Sequence, residues 1–377
     1  MTGVAVLGST GSIGRQALEV ISALPDRFSV LGLASAHAGP ELAAQADAWS
    51  SAKVWSAGAR PQGLADGRWA HGGLEELSTL DGVELVIVAT TGMAALPAVL
   101  AALTSGRRVA LANKETLVTG GHLVAAALDA LGGVALDRLR PIDSEHSAIW
   151  QCLVGERMTD VRRLVLTASG GPFRGRSAGD LATVTPEQAL AHPTWRMGPK
   201  ITIDSATLVN KAFEVIEARW LYRLPYSKID AVIHPQSVVH SLVEFADGSY
   251  KAQLGLPDMK LPIQYALTYP ERLPSPARPS DPVDWADLTF GRLSPGTYPA
   301  YDIVRAAAAA GGNRGAVVNA SDEVAVEAFL DGRLPFPRIA STIADAVERW
   351  GSDEEPHLEG IVALDAEVRT ALDRELS

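Results

Sequence analysis

Along the first 140 residues, short apolar runs rich in β-branched side chains alternate with Ala-rich stretches of helical period. The apolar runs are 4–7, 28–34, 85–89 and 109–112, and helical patterns such as 15–24 and 41–49 lie between them. Strand and helix in alternation predict an α/β unit, a doubly wound parallel sheet with helices on both faces. The run 133–136 is expected to close that sheet. Between Glu84 and Arg107 lie 22 uncharged residues, about a membrane-spanning length. Thr90, Thr91, Gly92 and Pro97 interrupt them, so they read as a buried strand, a turn and an Ala/Leu-rich helix.

From about 141 to 268 the pattern is mixed, with strands expected near 163–168, 231–234 and 241–245. The clearest helix is expected over 206–221, with Asp204-Ser205 before it as an N-cap signal. This is the pattern of an α+β domain. Residues 269–299 hold seven of the 23 prolines, which resist helix and central strand, so an extended linker is expected there. Helical periods return at 302–310, 321–330, 337–350 and 361–376, predicting a C-terminal helical bundle. The expected organisation is thus 1–142, 143–268, a linker 269–299 and a bundle 300–377.

At 377 residues with 47% hydrophobic and 20% charged residues, the chain is of globular composition, long enough for two or three domains at about 150 residues each. A single cysteine, Cys152, excludes an intrachain disulfide and fits a reducing cytoplasmic setting as a plain buried thiol. The start carries neither a basic stretch nor a long apolar one, so neither a leader nor a membrane association is expected. The net charge of −11 disfavours nucleic acid as a partner. It is unevenly spread, because residues 345–377 contain ten acids against three arginines. An anionic small substrate remains compatible with the rest of the chain.

Five motifs carry candidate chemistry. Gly8-Ser-Thr-Gly11-Ser-Ile-Gly14 follows the first strand and opens a helix. Glycines there let backbone approach a pyrophosphate, and the helix N-terminus supplies N–H groups and the positive end of its dipole. With the strand–helix repeat behind it, this predicts a Rossmann-like dinucleotide site; a Gly-rich turn that binds nothing is the alternative. The second strand ends at Ser35-Ala36-His37, where NAD enzymes place an acid on the ribose. No acid appears before Glu41, and Ser35 and His37 suit a 2′-phosphate, so NADP is expected over NAD. Asn113-Lys114-Glu115 follows the strand at 109–112, where ligand crevices form, making Lys114 a candidate substrate contact and Asn113 and Glu115 candidate cofactor contacts.

In Pro141-Ile-Asp143-Ser-Glu145-His146, an extended backbone would put Asp143 and Glu145 on one face, about 6.5 Å apart. Such a carboxylate pair suits Mg²⁺ or Mn²⁺; a helix start with surface acids is the alternative, and His146 reads as structural. In Ser205-Ala-Thr-Leu-Val-Asn210-Lys211-Ala-Phe-Glu214, helical spacing puts Asn210, Lys211 and Glu214 on one face. Either this is a surface ion pair, or Glu214 is a third metal carboxylate while Lys211, Asn210 and Ser205 form a phosphate site. The loop at Ser169-Gly-Gly suits an anion, and the loop His192-Pro-Thr-Trp195-Arg-Met197-Gly198 places a large aromatic where it can cover a site. His234 and His240 are expected to support neighbours by hydrogen bonds.

Together the segments GSTGSIG, LANKE, PIDSEHSAIWQ, TASGGPF, HPTWRMGPKITIDSATLVNKAFE, HPQSVVHS and GLPDMKLPI, in this order from Gly8 to about Ile263, closely resemble the 1-deoxy-D-xylulose 5-phosphate reductoisomerase family. The resemblance implies Asp143, Glu145 and Glu214 as divalent-metal ligands. It implies substrate contacts at Lys114, Ser144, Glu145, Ser169, His192, Trp195, Ser205, Asn210, Lys211 and Glu214. NADPH contacts are implied at Gly8, Thr10, Gly11, Ser12, Ile13, Ser35, Ala36, His37, Asn113, Glu115, Gly198 and Met259, and a flap near 192–200 carrying Trp195 and Met197. Catalytic roles fall on Lys114, Asp143, Glu145, Glu214 and His192. Where the family often has a basic Gly-Lys-Asn-type tripeptide, this chain reads Ala36-His37-Ala38. The implied reaction rearranges the phosphosugar by a retroaldol/aldol path and reduces the aldehyde with NADPH, giving 2-C-methyl-D-erythritol 4-phosphate. The resemblance also implies a homodimer. An amino-acid-pathway semialdehyde dehydrogenase and a non-catalytic dinucleotide sensor are the competing readings. Strict dependence on a divalent metal disfavours the first, and turnover disfavours the second.

Overall fold

The structure, a computed structural model, describes residues 1–377 except Arg196, and the side chain of Ala178 is likewise left aside. The chain forms two compact units. The first comprises Met1–Thr116, Leu123–Trp150 and Asp258–Pro279; the second comprises Leu117–His122, Gln151–Pro257 and Ser280–Ser377.

The first unit is built on strands β1 (Thr2–Leu7), β2 (Phe28–Ser35), β3 (Lys53–Ser56), β4 (Val83–Val88), β5 (Arg108–Leu111) and β6 (Leu139–Pro141). They pair in parallel in the order β3-β2-β1-β4-β5-β6. This is the doubly wound sheet that the alternation predicted. Both faces are covered, which is why the central strands read as unbroken apolar runs. Val4, Val6, Val30, Leu33, Leu85 and Ile87 lie at its core, with Ile263, Ala266 and Leu267 from the helix Lys260–Thr268. The uncharged stretch after Glu84 forms most of β4, a turn and the buried helix Leu96–Thr104.

The closing strand differs from expectation. Residues 133–136 are not a strand: Gly132 and Gly133 both take positive φ, and Ala135–Arg138 is a helical turn. The sheet is closed by β6, whose Pro141 sits opposite Leu111 of β5. Proline is tolerated there because β6 is an edge strand and owes no further N–H to a neighbour.

The second unit contains β7 (Val161–Ala168), β8 (Ile229–Ile233), β9 (Val239–Phe245), β10 (Tyr250–Leu254) and β11 (Gly291–Arg292), in the order β10-β9-β7-β8-β11. Only β7 and β8 pair in parallel. The helix expected over 206–221 is two helices, Pro199–Thr207 and Val209–Tyr222. Leu208 joins them in the left-handed region, φ 60°. Asp204 and Ser205 therefore lie inside the first helix, not at an N-cap. A left-handed leucine costs roughly 1–2 kcal/mol, and it is held because its side chain is buried and Thr207 Oγ1 accepts the Val209 N–H at 3.3 Å. The helices Pro299–Ala310, Arg314–Leu330, Arg338–Trp350 and Leu358–Leu376 follow the predicted C-terminal pattern. Val317, Ala320, Val324, Ala346, Val368 and Leu372 form a core among the last three. No helix among the described residues is long and apolar enough to cross a membrane.

Gly14 measures how closely the first loop is packed. A Cβ on it would stand 2.2 Å from Gly8 O and 2.6 Å from Ser9 Cα. Gly14→Ala is expected to lower stability by about 1–3 kcal/mol in urea unfolding; an unchanged midpoint would show that the loop is not packed this way.

Candidate active site

Except for Met259, the candidate residues of the first unit stand at or just past the carboxyl ends of its parallel strands. The strand order reverses between β1 and β4, the place where open α/β sheets bind ligands. Gly8 takes φ 88°, and a Cβ there would meet Ala89 O at 2.4 Å, so the loop after β1 lies directly on the loop after β4. Gly11 begins the helix Ser12–Ser22, with Ser12 and Ile13 in its first turn and no side chain capping it. These first-turn N–H groups suit a pyrophosphate. Thr10 Oγ1 and Ser35 Oγ share a hydrogen bond of 2.6 Å, tying the β1 and β2 loops together. Ala36 and His37 beyond are exposed. Arg15 was not singled out from the sequence, yet its Nη1 donates to Thr10 O at 2.7 Å. Its signal was a cation one turn into the helix after a Gly-rich loop.

Asn113 is a hub for the loops after β4 and β5. Its amide donates to Thr90 O at 3.1 Å, Gly92 O at 2.8 Å and Glu115 Oε2 at 2.9 Å, and its oxygen accepts the Thr116 N–H at 2.9 Å. The 90–92 loop was read only as a turn, and its place beside the reversal point is what marks it. Next to Asn113, Lys114 Nζ pairs with Asp143 Oδ2 at 2.8 Å, each side chain about one-tenth exposed. Asp143 follows β6, and its backbone oxygen accepts the Ser147 N–H at 2.8 Å. The extended Asp143–Glu145 pair is thus corrected: Ser144 and Glu145 are the first turn of the helix Ser144–Leu153. The cause is local, since Asp-Ser-Glu favours a helix start and its acids suit the positive end of the dipole. Ser144 Oγ donates to Glu145 Oε2 at 2.5 Å. Met259 immediately precedes the helix Lys260–Thr268 and packs on the first unit's core. Two carboxylates beside a single lysine leave hard oxygen donors with net negative charge, a donor set that fits Mg²⁺ or Mn²⁺.

In the second unit, Ser169 follows β7 and leads into Gly170 and Gly171, both at positive φ. A Cβ on Gly171 would lie 2.6 Å from Ser205 O, so this loop rests directly on the helix Pro199–Thr207. Ser169 Oγ accepts the Gly171 N–H at 3.2 Å and lies 3.1 Å from His192 Nε2. His192 Nδ1 accepts the N–H groups of Thr194 at 3.1 Å and Trp195 at 2.9 Å. A ring nitrogen accepting two donors carries no proton, so neutral His192 has its proton on Nε2 and donates it to Ser169. Burial pushes the His192 imidazole below its ordinary value. Ser169, His192 and Ser205 are thereby brought together. Trp195 and Met197 are half-buried in the loop that Gly198 ends as the N-cap of Pro199–Thr207; Arg196 in that loop is outside the described residues.

Past the Leu208 break, Glu214 accepts Asn210 Nδ2 at 2.6 Å and is paired with the Lys211 ammonium. Lys211 and Glu214 are fully buried, so this is no surface ion pair. His234 is supportive, as expected: Nδ1 donates to Thr289 O at 2.9 Å, and Nε2 accepts the Val238 and Val239 N–H groups. Burial raises the Cys152 thiol to about 11, which leaves it inert.

Three family models match the chain. The model of 1-deoxy-D-xylulose 5-phosphate reductoisomerase covers residues 4–121, and two models of C-terminal domains of that enzyme cover 139–222 and 254–371. The 1-deoxy-D-xylulose 5-phosphate reductoisomerase of Pelotomaculum thermopropionicum is 48% identical over 98% of this chain and 97% of its own. That of Nocardia farcinica is 47% identical over 97% of this chain and 92% of its own. Among solved structures, the Zymomonas mobilis reductoisomerase in complex with NADPH is 37% identical, with a TM-score of 0.89 over 100% of this chain and 99% of that one. A DOX-P reductoisomerase in complex with NADPH, fosmidomycin and magnesium is 34% identical, with a TM-score of 0.88 over 100% and 98%.

The His192 geometry predicts a pH effect of definite sign. With its folded value lowered, His192 adds nothing against folding above the unfolded range. Stability is lost as pH falls through that range toward the folded value, because protonating Nδ1 breaks two hydrogen bonds. An NMR titration is expected to place His192 below the ordinary midpoint of about 6.5; a midpoint at or above it would refute the arrangement.

Proposed function

The chain belongs to the 1-deoxy-D-xylulose 5-phosphate reductoisomerase family, and from that membership we propose that it converts 1-deoxy-D-xylulose 5-phosphate to 2-C-methyl-D-erythritol 4-phosphate with NADPH and a divalent cation. The observation that carries this is 48% identity to a reductoisomerase over 98% of the chain. NADPH and magnesium in a structural neighbour of TM-score 0.88 support the cofactors; the carboxylate chemistry is equally suited to Mn²⁺.

On this reading the dinucleotide lies on the helix that begins at Ser12, with Thr10, Ser35 and Arg15 around its ribose phosphate and Asn113 holding the neighbouring loops. Asp143, Glu145 and Glu214 hold the cation. Once bound, the cation supplies polarisation of the substrate oxygens and NADPH supplies the hydride. Lys114, paired with Asp143, faces developing negative charge at the reacting oxygens. Glu145, a ligand of the cation, is also the proton acceptor on this reading. Ser169, Ser205, Asn210 and Lys211 hold the substrate phosphate, and His192 orients Ser169. The loop carrying Trp195 and Met197 covers the bound sugar and excludes water. Binding energy from the phosphate, which does not react, then orients the reacting end. A cytoplasmic location and a homodimer complete the proposal.

The direct test is loss of NADPH absorbance on addition of 1-deoxy-D-xylulose 5-phosphate. Turnover is expected with Mg²⁺ or Mn²⁺ and none after chelation; turnover in excess chelator would remove the cation from the reaction. Glu214→Gln is expected to lower kcat/KM at least tenfold and to raise the Mn²⁺ concentration needed for half-activity. An unchanged metal requirement would take Glu214 out of the metal set. Lys211→Ala is expected to raise the KM of the phosphosugar at least tenfold, and an unchanged KM would place the phosphate elsewhere.

A further inference from the structure

Lys200 stands one residue past the start of the helix Pro199–Thr207 and two past Gly198, where the loop carrying Trp195 ends. Its ammonium is held by Asp204 Oδ2 at 2.6 Å, one turn further along the same helix, and by Asp322 Oδ2 at 2.8 Å. It also lies over the Phe213 ring, 5.0 Å from the centroid. Asp322 belongs to the helix Arg314–Leu330, far along the sequence, and is completely buried; Asp204 is 2% exposed. One cation therefore ties together three helices of the second unit. The first carries Ser205, the second carries Asn210, Lys211 and Glu214, and the third contributes no residue to the proposed active site.

Solubility does not account for a carboxylate with no exposure, and packing is better served by an apolar side chain of similar volume. An i,i+4 pair of Lys200 with Asp204 would by itself complete the helix. What the second carboxylate adds is direction: it fixes the first turn of Pro199–Thr207 against Arg314–Leu330. The other end of the same helix is closely packed, because Gly171 lies against Ser205 O.

We propose that Asp322 is a positioning residue for the reaction: through Lys200 it fixes the start of the helix Pro199–Thr207, and with it both the end of the 192–198 loop and the Ser205 hydroxyl. This rests on the functional reading above only for what Ser205 and the loop bind. A displacement of about 1 Å in groups that orient a substrate can cost a hundredfold in rate, so a loosened anchor is felt at the phosphosugar and not at NADPH.

The test compares wild type with Asp322→Asn, an isosteric change that leaves Lys200 paired with Asp204. The expected result is a fall of about tenfold or more in kcat/KM for 1-deoxy-D-xylulose 5-phosphate, with the NADPH Kd, read by fluorescence, within twofold of wild type. Limited proteolysis within residues 192–198 of the substrate-free protein is expected to quicken at least threefold. A purely structural Asp322 would lower Tm yet leave both the kcat/KM of the folded fraction and the loop cleavage rate within twofold, and that result overturns the proposal. Lys200→Gln removes the cation that the two carboxylates share. It should give the same pattern, and it serves if Asp322→Asn does not fold. The double variant Lys200→Gln/Asp322→Asn should lose no more than the worse single variant, whereas additive losses would refute a shared anchor. If the wild type fails to turn over the phosphosugar, the functional reading falls, and the cleavage comparison still decides the anchor: faster cleavage sustains it and equal rates overturn it.

Discussion

A carboxylate taken out of water costs several kcal/mol unless a cation reaches it, and breaking a buried pair by removing one partner costs about 3–5 kcal/mol. Three groups of acids in this protein meet that requirement with a lysine. Lys114 reaches Asp143 across the ends of β5 and β6, Lys211 reaches Glu214 one turn along its own helix, and Lys200 spans Asp204 and Asp322. The pairing fixes side chains that would otherwise sample many rotamers, and it fixes them where reactive groups are needed. Asp143 is held before any ligand arrives, so ordering it adds little to the cost of binding.

Net charge gave a misleading impression of such a site. The −11 of the whole chain looks hostile to a phosphorylated substrate, yet much of it lies in residues 345–377. There the acids lie on two helices and the loop between them, and some pair locally, as Glu375 does with Arg349 and Asp365 with Arg369. Exposed charges further away than about 8 Å are largely screened at physiological salt. What an anion meets is therefore decided by its first few neighbours, which on the proposed reading are, in the second unit, Lys211, the Asn210 amide and two serine hydroxyls.

The parallel sheet was legible because its central strands are buried on both faces and read as plain apolar runs. Legibility failed where an element owes its shape to its neighbours. β3, Lys-Val-Trp-Ser, is four residues with alternating burial and no run to detect. β6 contains Arg140 and Pro141, which look like the end of a loop. Arg140 is nonetheless buried, donating to Ala266 O at 2.8 Å from a segment more than 120 residues away. The extended reading of Asp143 and Glu145 failed for the opposite reason: local helix-start chemistry outweighed an alternation of only two residues. The candidate site was more legible than its supports. Motif residues such as Lys114, Ser169 and Glu214 announce themselves by type and spacing, but nothing local marks Arg15 as reaching Thr10, or Asp322 as reaching Lys200.

The break at Leu208 shows why the support matters to the chemistry. In an unbroken helix each residue advances by about 100°, so Ser205 and Glu214, nine positions apart, would lie about half a turn apart on opposite faces. No single helix could then present the serine and the carboxylate to one bound sugar. The left-handed leucine removes that constraint. It lets Pro199–Thr207 lie against Gly171 while Val209–Tyr222 directs Asn210 and Lys211 at Glu214. A strained joint between two short helices transmits little stiffness from one to the other, so the first helix needs a hold of its own. The Lys200 ammonium is placed to provide it, with its two carboxylates and the face of Phe213 around it.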